Sequence, residues 1–222
     1  MGHARGDRGG GHGQIALHLE RLLAARGDQP VGLIRNPDHA ADLREVGAVP
    51  VVLDLENSTV EQVAEAAADA DAVVFAAGAG PNSGAARKNT VDRDAAVLLA
   101  DAAEAAGVRR YVMVSSYNAD NYDPASTDVF QVYLRAKSEA DAAVRGRDLD
   151  WTVVRPGSLT TAAGTGEISL GDSVPRGSIS REDVAAVLLH VLDFPATVGR
   201  QFEVIGGPTP IADAVASYTG KP

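Results

Sequence analysis

Two rhythms of apolar residues alternate along this chain. Short, mostly apolar runs occur at Val31–Arg35, Val49–Leu53, Asp71–Phe75 and Tyr111–Val114. Between them, apolar residues return every three or four positions. The runs predict buried strands and the wider spacing predicts amphipathic helices. Ile15, Leu19, Leu22 and Leu23 form one such helical face, and Gly27 ends it. Asn36-Pro37 reads as a cap and first position of a helix reaching about Val46. Thr59–Ala68 and Val91–Ala106 read as further helices, the second closed by Gly107. After a polar loop, Tyr117–Thr127, another helix carries Tyr133–Lys137. Strands and helices joined by short loops predict an α/β fold with a doubly wound parallel sheet, Rossmann-like, in three αβα layers.

The rhythm fails at the start. Such a sheet opens with a buried strand feeding its first helix, and buried strands are rich in Val and Ile. Residues 2–9 read Gly-His-Ala-Arg-Gly-Asp-Arg-Gly. The first strand is therefore poorly encoded, and residues 1–9 are an atypical N-terminal segment. We read it as the product of a shifted frame upstream of Gly10, which in GC-rich sequence yields Gly, Arg and Asp strings.

Composition narrows the class. A chain of 222 residues fits one domain, with residues 157–222 as a small C-terminal substrate region. Its 45% hydrophobic content is ordinary, and no apolar run has the length of a membrane span. Residues 1–13 lack the apolar core of a secretory signal. The absence of cysteine excludes disulfides, thiolate metal sites and cysteine nucleophiles. A formal charge of −10 argues against nucleic acid and anionic membranes as partners. The expectation is a cytoplasmic monomer or homodimer acting on a small-molecule substrate. The five histidines show no metal-ligand spacing, and Asp120–Asp123 reads as solvated loop. Gly164–Gly171 reads either as a mobile substrate lid or as a β-hairpin.

Gly10, Gly13 and Ala16 form a G-x-x-G-x-x-A turn opening the first helix at Gln14 and Ile15. Such a turn lets backbone approach a diphosphate that faces the positive end of the helix. Arg35 then ends the next apolar run, where a basic residue meets the 2′-phosphate of NADP and an acidic one would favour NAD. Asp54 and Leu55 stand where a carboxylate and an apolar side chain frame adenine, although Asp54 reads equally well as a helix cap. Ala77 and Gly78 lie among the small residues Ala76–Gly80, which leave a strand end open for ribose and diphosphate.

Tyr133 and Lys137 are four apart on one helix face, so the ammonium sits near the phenol and stabilises its phenolate. That makes Tyr133 a candidate acid/base toward a carbonyl or alcohol oxygen, with Lys137 also able to hold the nicotinamide ribose. Ser115 or Ser116, at the tip of a strand, completes the set by hydrogen-bonding the substrate oxygen. Only three of the twenty basic residues are Lys, which adds a little weight to Lys137.

With these residues in place, the chain resembles the atypical short-chain dehydrogenase/reductases, in the NAD(P)H-binding branch similar to NmrA-like proteins and biliverdin reductase B. The resemblance rests on Gly10–Ala16, Val31–Pro37, Asp54-Leu55, Ala76–Gly78, Val114–Ser116, Tyr133–Lys137 and Trp151–Gly157. It implies a sixth strand over Leu149–Gly157 with the backbone at Pro156 against the nicotinamide. It also implies a closing helix over Ser180–Leu192 and a last strand over Phe202–Ile205. The absent first strand and the Ser-to-Tyr spacing depart from the family pattern. The implied activity is hydride transfer with NADP(H), NAD(H) being less favoured, on a small carbonyl, quinone or flavin-like substrate. The rival reading is a non-catalytic NADP(H)-binding redox sensor.

Overall fold

The computed structural model describes residues 11–80 and 83–218. The predicted segment 1–9 and Gly10 lie outside these described residues.

Helix α1 (Gln14–Arg26) leads into β1 (Val31–Ile34), and Gly27 closes the helix in the left-handed region at φ 94°. The Asn36 side chain accepts from Asp38 N–H and starts a short 3-10 turn that continues into α2 (Ala40–Glu45). Strand β2 (Val49–Val52) follows. Then α3 (Val60–Ala67) is opened by a capping box, in which Thr59 and Gln62 satisfy each other's backbone N–H. Beyond β3 (Ala72–Phe75), α4 (Gly84–Arg87) runs through a π-helical stretch, Lys88–Asp94, into α5 (Ala95–Ala105). The helix predicted over Val91–Ala106 thus begins earlier, and it is wider than α over Lys88–Asp94. Strand β4 (Arg110–Val114) precedes α6 (Val129–Arg145), where Asp128 caps the Phe130 and Gln131 N–H groups.

The remaining chain adds β5 (Asp150–Pro156), β6 (Ser158–Thr160), β7 (Glu167–Gly171) and β8 (Ser178–Ser180). It closes with α7 (Arg181–Asp193), β9 (Arg200–Gly206), β10 (Thr209–Pro210) and α8 (Ile211–Ser217). Of the alternatives open for Gly164–Gly171, neither holds in full. Glu167–Gly171 is a strand of the main sheet, antiparallel to β9.

The six-stranded sheet has the order β10-β7-β9-β5-β4-β3, parallel from β9 to β3. Successive side chains of a strand point to opposite faces, and here both faces are buried. Val74, Val112, Val114 and Val154 pack with α1, α7 and α8 on one side. Val73, Phe75, Tyr111, Met113 and Val153 pack with α3, α5 and α6 on the other. These are the three layers of a doubly wound, Rossmann-like fold.

The strands β1 and β2 pair in parallel as a separate two-stranded sheet. Leu33 nevertheless shares a core with Val73 and Phe75. Among the described residues, no backbone ladder joins β1 to β3. In a doubly wound sheet of order 3-2-1-4-5-6, the strand preceding the first helix lies at that junction.

Candidate active site

The carboxyl ends of β1, β2 and β3 surround a crevice of about 290 Å³, lined by His12, Gly13, Arg35, Leu55, Ala77 and Gly78 among others. At its floor the glycine turn crosses β1. The Gly11 N–H donates to the Leu33 carbonyl at 2.9 Å, and a Cβ on Gly11 would stand 2.7 Å from Gly32 Cα. Only glycine fits there, so Gly11 and Gly32 set the close packing of the turn on β1, a contact the sequence reading did not name. Gly13 is the extended N-cap of α1, with no side chain accepting the first-turn N–H groups. Among the described residues no hydrogen bond takes up the Gln14 or Ile15 N–H, so this backbone can face an anion.

Arg35 and Asp54 both line the crevice. The Asp54 carboxylate accepts from Glu56 N–H at 3.1 Å and from Asn57 Nδ2 at 2.8 Å, so it also serves as the cap of its own turn. Arg35 donates to Glu56 at 2.9 Å. The same carboxylate accepts from Arg87 Nη2 at 2.7 Å and Thr90 Oγ1 at 2.7 Å. The hydrogen bond from Arg87, helped by Thr90 and Arg35, holds Glu56 below the usual carboxylate range against the opposing effect of burial. Arg87 and Glu56 were not found from the sequence, because they meet Arg35 only through folding. On the turn beside them, His12 stacks on His39 with ring centroids 3.6 Å apart and bonds Asp42 at 2.7 Å.

Lys137 is buried and joins this crevice to the candidate acid/base. Its Nζ donates to the carbonyls of Val114 at 3.2 Å and Ala77 at 3.4 Å, the ends of β4 and β3. The same atom lies 6.0 Å from the Tyr133 ring centroid. Tyr133 is half-buried, and its hydroxyl makes no hydrogen bond among the described residues. The π-helix contributes two charged groups absent from the sequence reading. Lys88 Nζ stands 5.2 Å from the Tyr133 ring centroid, and Asp92 Oδ1 lies 3.5 Å from Lys137 Nζ.

The two serines separate. The Ser115 hydroxyl is buried and donates to Asp141 at 2.8 Å, so it is committed to the fold. Asp141 and Asp120 share Arg155, which reaches both at 2.7 Å. Asp120 is thus an exposed loop residue, as expected, and also an ion-pair partner of Arg155. Burial works against the Arg155 charge, but the two carboxylates outweigh it and raise its pKa. Ser116 is half-buried, and among the described residues its hydroxyl makes only a long 3.4 Å contact with the Tyr117 carbonyl, which keeps it available. Pro156 ends β5 beside this tip, its carbonyl accepting from Tyr117 N–H at 2.9 Å.

A larger depression, near 540 Å³, is lined by Ser169, Asp172, Ser173, Ser217 and Tyr218. None of the candidate chemistry lies in it, so size alone does not mark the site. Among the described residues no helix is long and apolar enough to cross a membrane.

The geometry agrees with the comparisons. The sugar epimerase YhfK of Bacillus subtilis, itself uncharacterized, is 36% identical over 93% of this chain and 96% of its own. A Bacillus halodurans protein named as an NAD-dependent epimerase/dehydratase superposes with a TM-score of 0.88 at 36% identity, covering 97% of this chain and 100% of its own. The oxidoreductase YlbE of Lactococcus lactis gives a TM-score of 0.84 at 26% identity over 96% and 95% of the two chains. The NAD(P)H-binding family model matches residues 10–195, which span the crevice, Lys137 and Tyr133, and the chain belongs to that family.

Proposed function

We propose that this chain is an NADP(H)-dependent oxidoreductase that reduces a small carbonyl, quinone or flavin-like substrate. One observation carries the reading: Lys137 touches the Ala77 carbonyl at the rim of the crevice and lies beside the Tyr133 ring. Cofactor pocket and proton donor are thus linked by one side chain. The absence of side chains at Gly13 and Gly78, which line the crevice, suits it to a dinucleotide, with Gln14 and Ile15 N–H groups toward its diphosphate. Arg35 and Arg87 are the groups for a 2′-phosphate, which favours NADP over NAD. Asp54 and Leu55 suit the adenosine, and Pro156 with Lys137 the nicotinamide ribose end.

When bound, the dihydronicotinamide supplies the hydride. Tyr133 gives its phenolic proton to the substrate oxygen, and Lys137 stabilises the phenolate that remains. Ser116 orients that oxygen by hydrogen bonding. A small substrate is favoured over a sugar nucleotide, although two relatives carry epimerase names. Much of the C-terminal third is spent on β7, β9 and β10 in the main sheet and on α7 against α1, leaving little beyond the β6–β8 pair to shape a pocket.

The test is NADPH oxidation against a panel of quinones, flavins and aldehydes, with Tyr133→Phe alongside. The variant should lose about 10²-fold or more in kcat, while its NADPH affinity stays within about twofold of the parent. Undiminished turnover in Tyr133→Phe would remove Tyr133 from the reaction. Binding without turnover on any substrate would favour the redox sensor.

A further inference from the structure

The π-helical stretch Lys88–Asp94 interrupts an otherwise continuous helix, and π-turns of this kind recur at functional sites. A π-turn holds more than four residues, which brings Lys88 and Asp92 to nearly the same face. Both are buried, at 6% and 0% exposure. Each grips the segment following β3. Lys88 Nζ donates to the Gly80 carbonyl at 2.7 Å, and Asp92 Oδ2 accepts from Ala79 N–H at 3.3 Å. The other oxygen of Asp92 accepts no hydrogen bond among the described residues and lies 3.5 Å from Lys137 Nζ. A Cβ on Gly78 would stand 3.1 Å from that same oxygen. One carboxylate therefore touches the cofactor rim with one oxygen and faces the candidate catalytic ammonium with the other.

We infer that Asp92 is the positioning residue that lodges Lys137 at the nicotinamide end of the crevice, linking the state of the Gly78–Gly80 rim to the placement of that ammonium. The inference rests on the cofactor reading above. Its physical basis is charge: a buried ammonium with only carbonyl acceptors gains more from a nearby carboxylate than from any neutral group. Asn at position 92 can still accept from Ala79 N–H, but it offers no charge to Lys137. The substitution therefore separates the two roles.

The experiment is a double-mutant cycle on NADPH affinity, read by cofactor fluorescence, with the parent protein, Asp92→Asn, Lys137→Met and the double variant. Asp92→Asn should weaken NADPH about fivefold in the parent background and leave it unchanged, within about 1.5-fold, once Lys137 is Met. An equal loss in both backgrounds, or no loss in either, overturns the inference and leaves the cofactor reading intact. A parent protein that binds neither NADPH nor NADH removes both together. Thermal melting of the same proteins without cofactor gives a second readout. Asp92→Asn, which strands a buried ammonium, should melt below the double variant. If the double variant is equally unstable, Asp92 acts only through Ala79 and the inference fails.

Discussion

Glu56 shows what a single residue adds to a sequence reading. Arg35 was legible because it ends an apolar run, and the strand-end rule gives that position a phosphate to meet. Glu56 and Arg87 were not, since 31 positions separate them and only the fold joins them. The carboxylate now draws on both guanidinium groups. Arg35→Ala should weaken NADPH about tenfold, or ~1.4 kcal/mol, with NADH changed far less. An equal loss for the two cofactors, by fluorescence titration, would place the phosphate contact elsewhere. Glu56→Gln should tighten NADPH a few-fold by releasing both arginines. The same variant carries a pH signature. Because the folded-state pKa of Glu56 is depressed, its stabilisation is complete above the unfolded value of about 4.3 and is lost as pH falls through the lower folded value. Melting curves between about pH 3 and 6 should show the parent losing stability below about pH 4 more steeply than Glu56→Gln. Parallel curves would deny the depressed pKa.

At the level of elements, polarity misled where charge is buried. The helix expected from Val91 begins earlier: Lys88 looks like a solvent position in a hydrophobic pattern, yet it faces inward, as does Asp92 within the expected span. The loop over Asp120–Asp123 is exposed as expected, but the pairing of Asp120 with Arg155, 35 positions on, needs the fold to be seen. Strand parity explains the fate of Ser115. It follows Tyr111 and Met113 on the face that packs against α6, where Asp141 waits. Asp141→Ala would leave the buried Arg155 with only its more exposed partner, Asp120. Breaking such a pair costs about 3 kcal/mol or more, a fall in Tm of roughly 10 °C for a chain of this size. Differential scanning calorimetry reads it directly, and a change under about 2 °C would show that the network contributes little. By contrast, the capped helices at Thr59 and Asp128 and the Gly27 stop needed no tertiary knowledge, because each is satisfied locally.

For the whole molecule, the alternation of buried strands and helices was enough to give a three-layered, doubly wound fold. Both faces of a parallel sheet are covered, and its strands therefore read as unbroken apolar runs. The antiparallel additions carry weaker patterns: β7 falls in Gly164–Gly171, read as either lid or hairpin, and β10 gives no signal of its own. At the junction of β1 and β3, the expectation of a poorly encoded first strand falls on residues outside the described ones. The chain encodes no apolar strand ahead of Gly11, and among the described residues no ladder crosses that junction. Replacing the residues ahead of Gly10 with a Val/Ile-rich strand should raise Tm by several degrees and tighten NADPH. An unchanged Tm would show that the junction tolerates its present sequence without cost. The most direct test of the account is the crystal structure of the complex with NADP. The diphosphate is predicted against the Gly13–Ile15 backbone, the 2′-phosphate between Arg35 and Arg87, and the nicotinamide end beside Lys137 and Tyr133. A dinucleotide bound away from the amino end of α1, or with its nicotinamide remote from Tyr133, would contradict it.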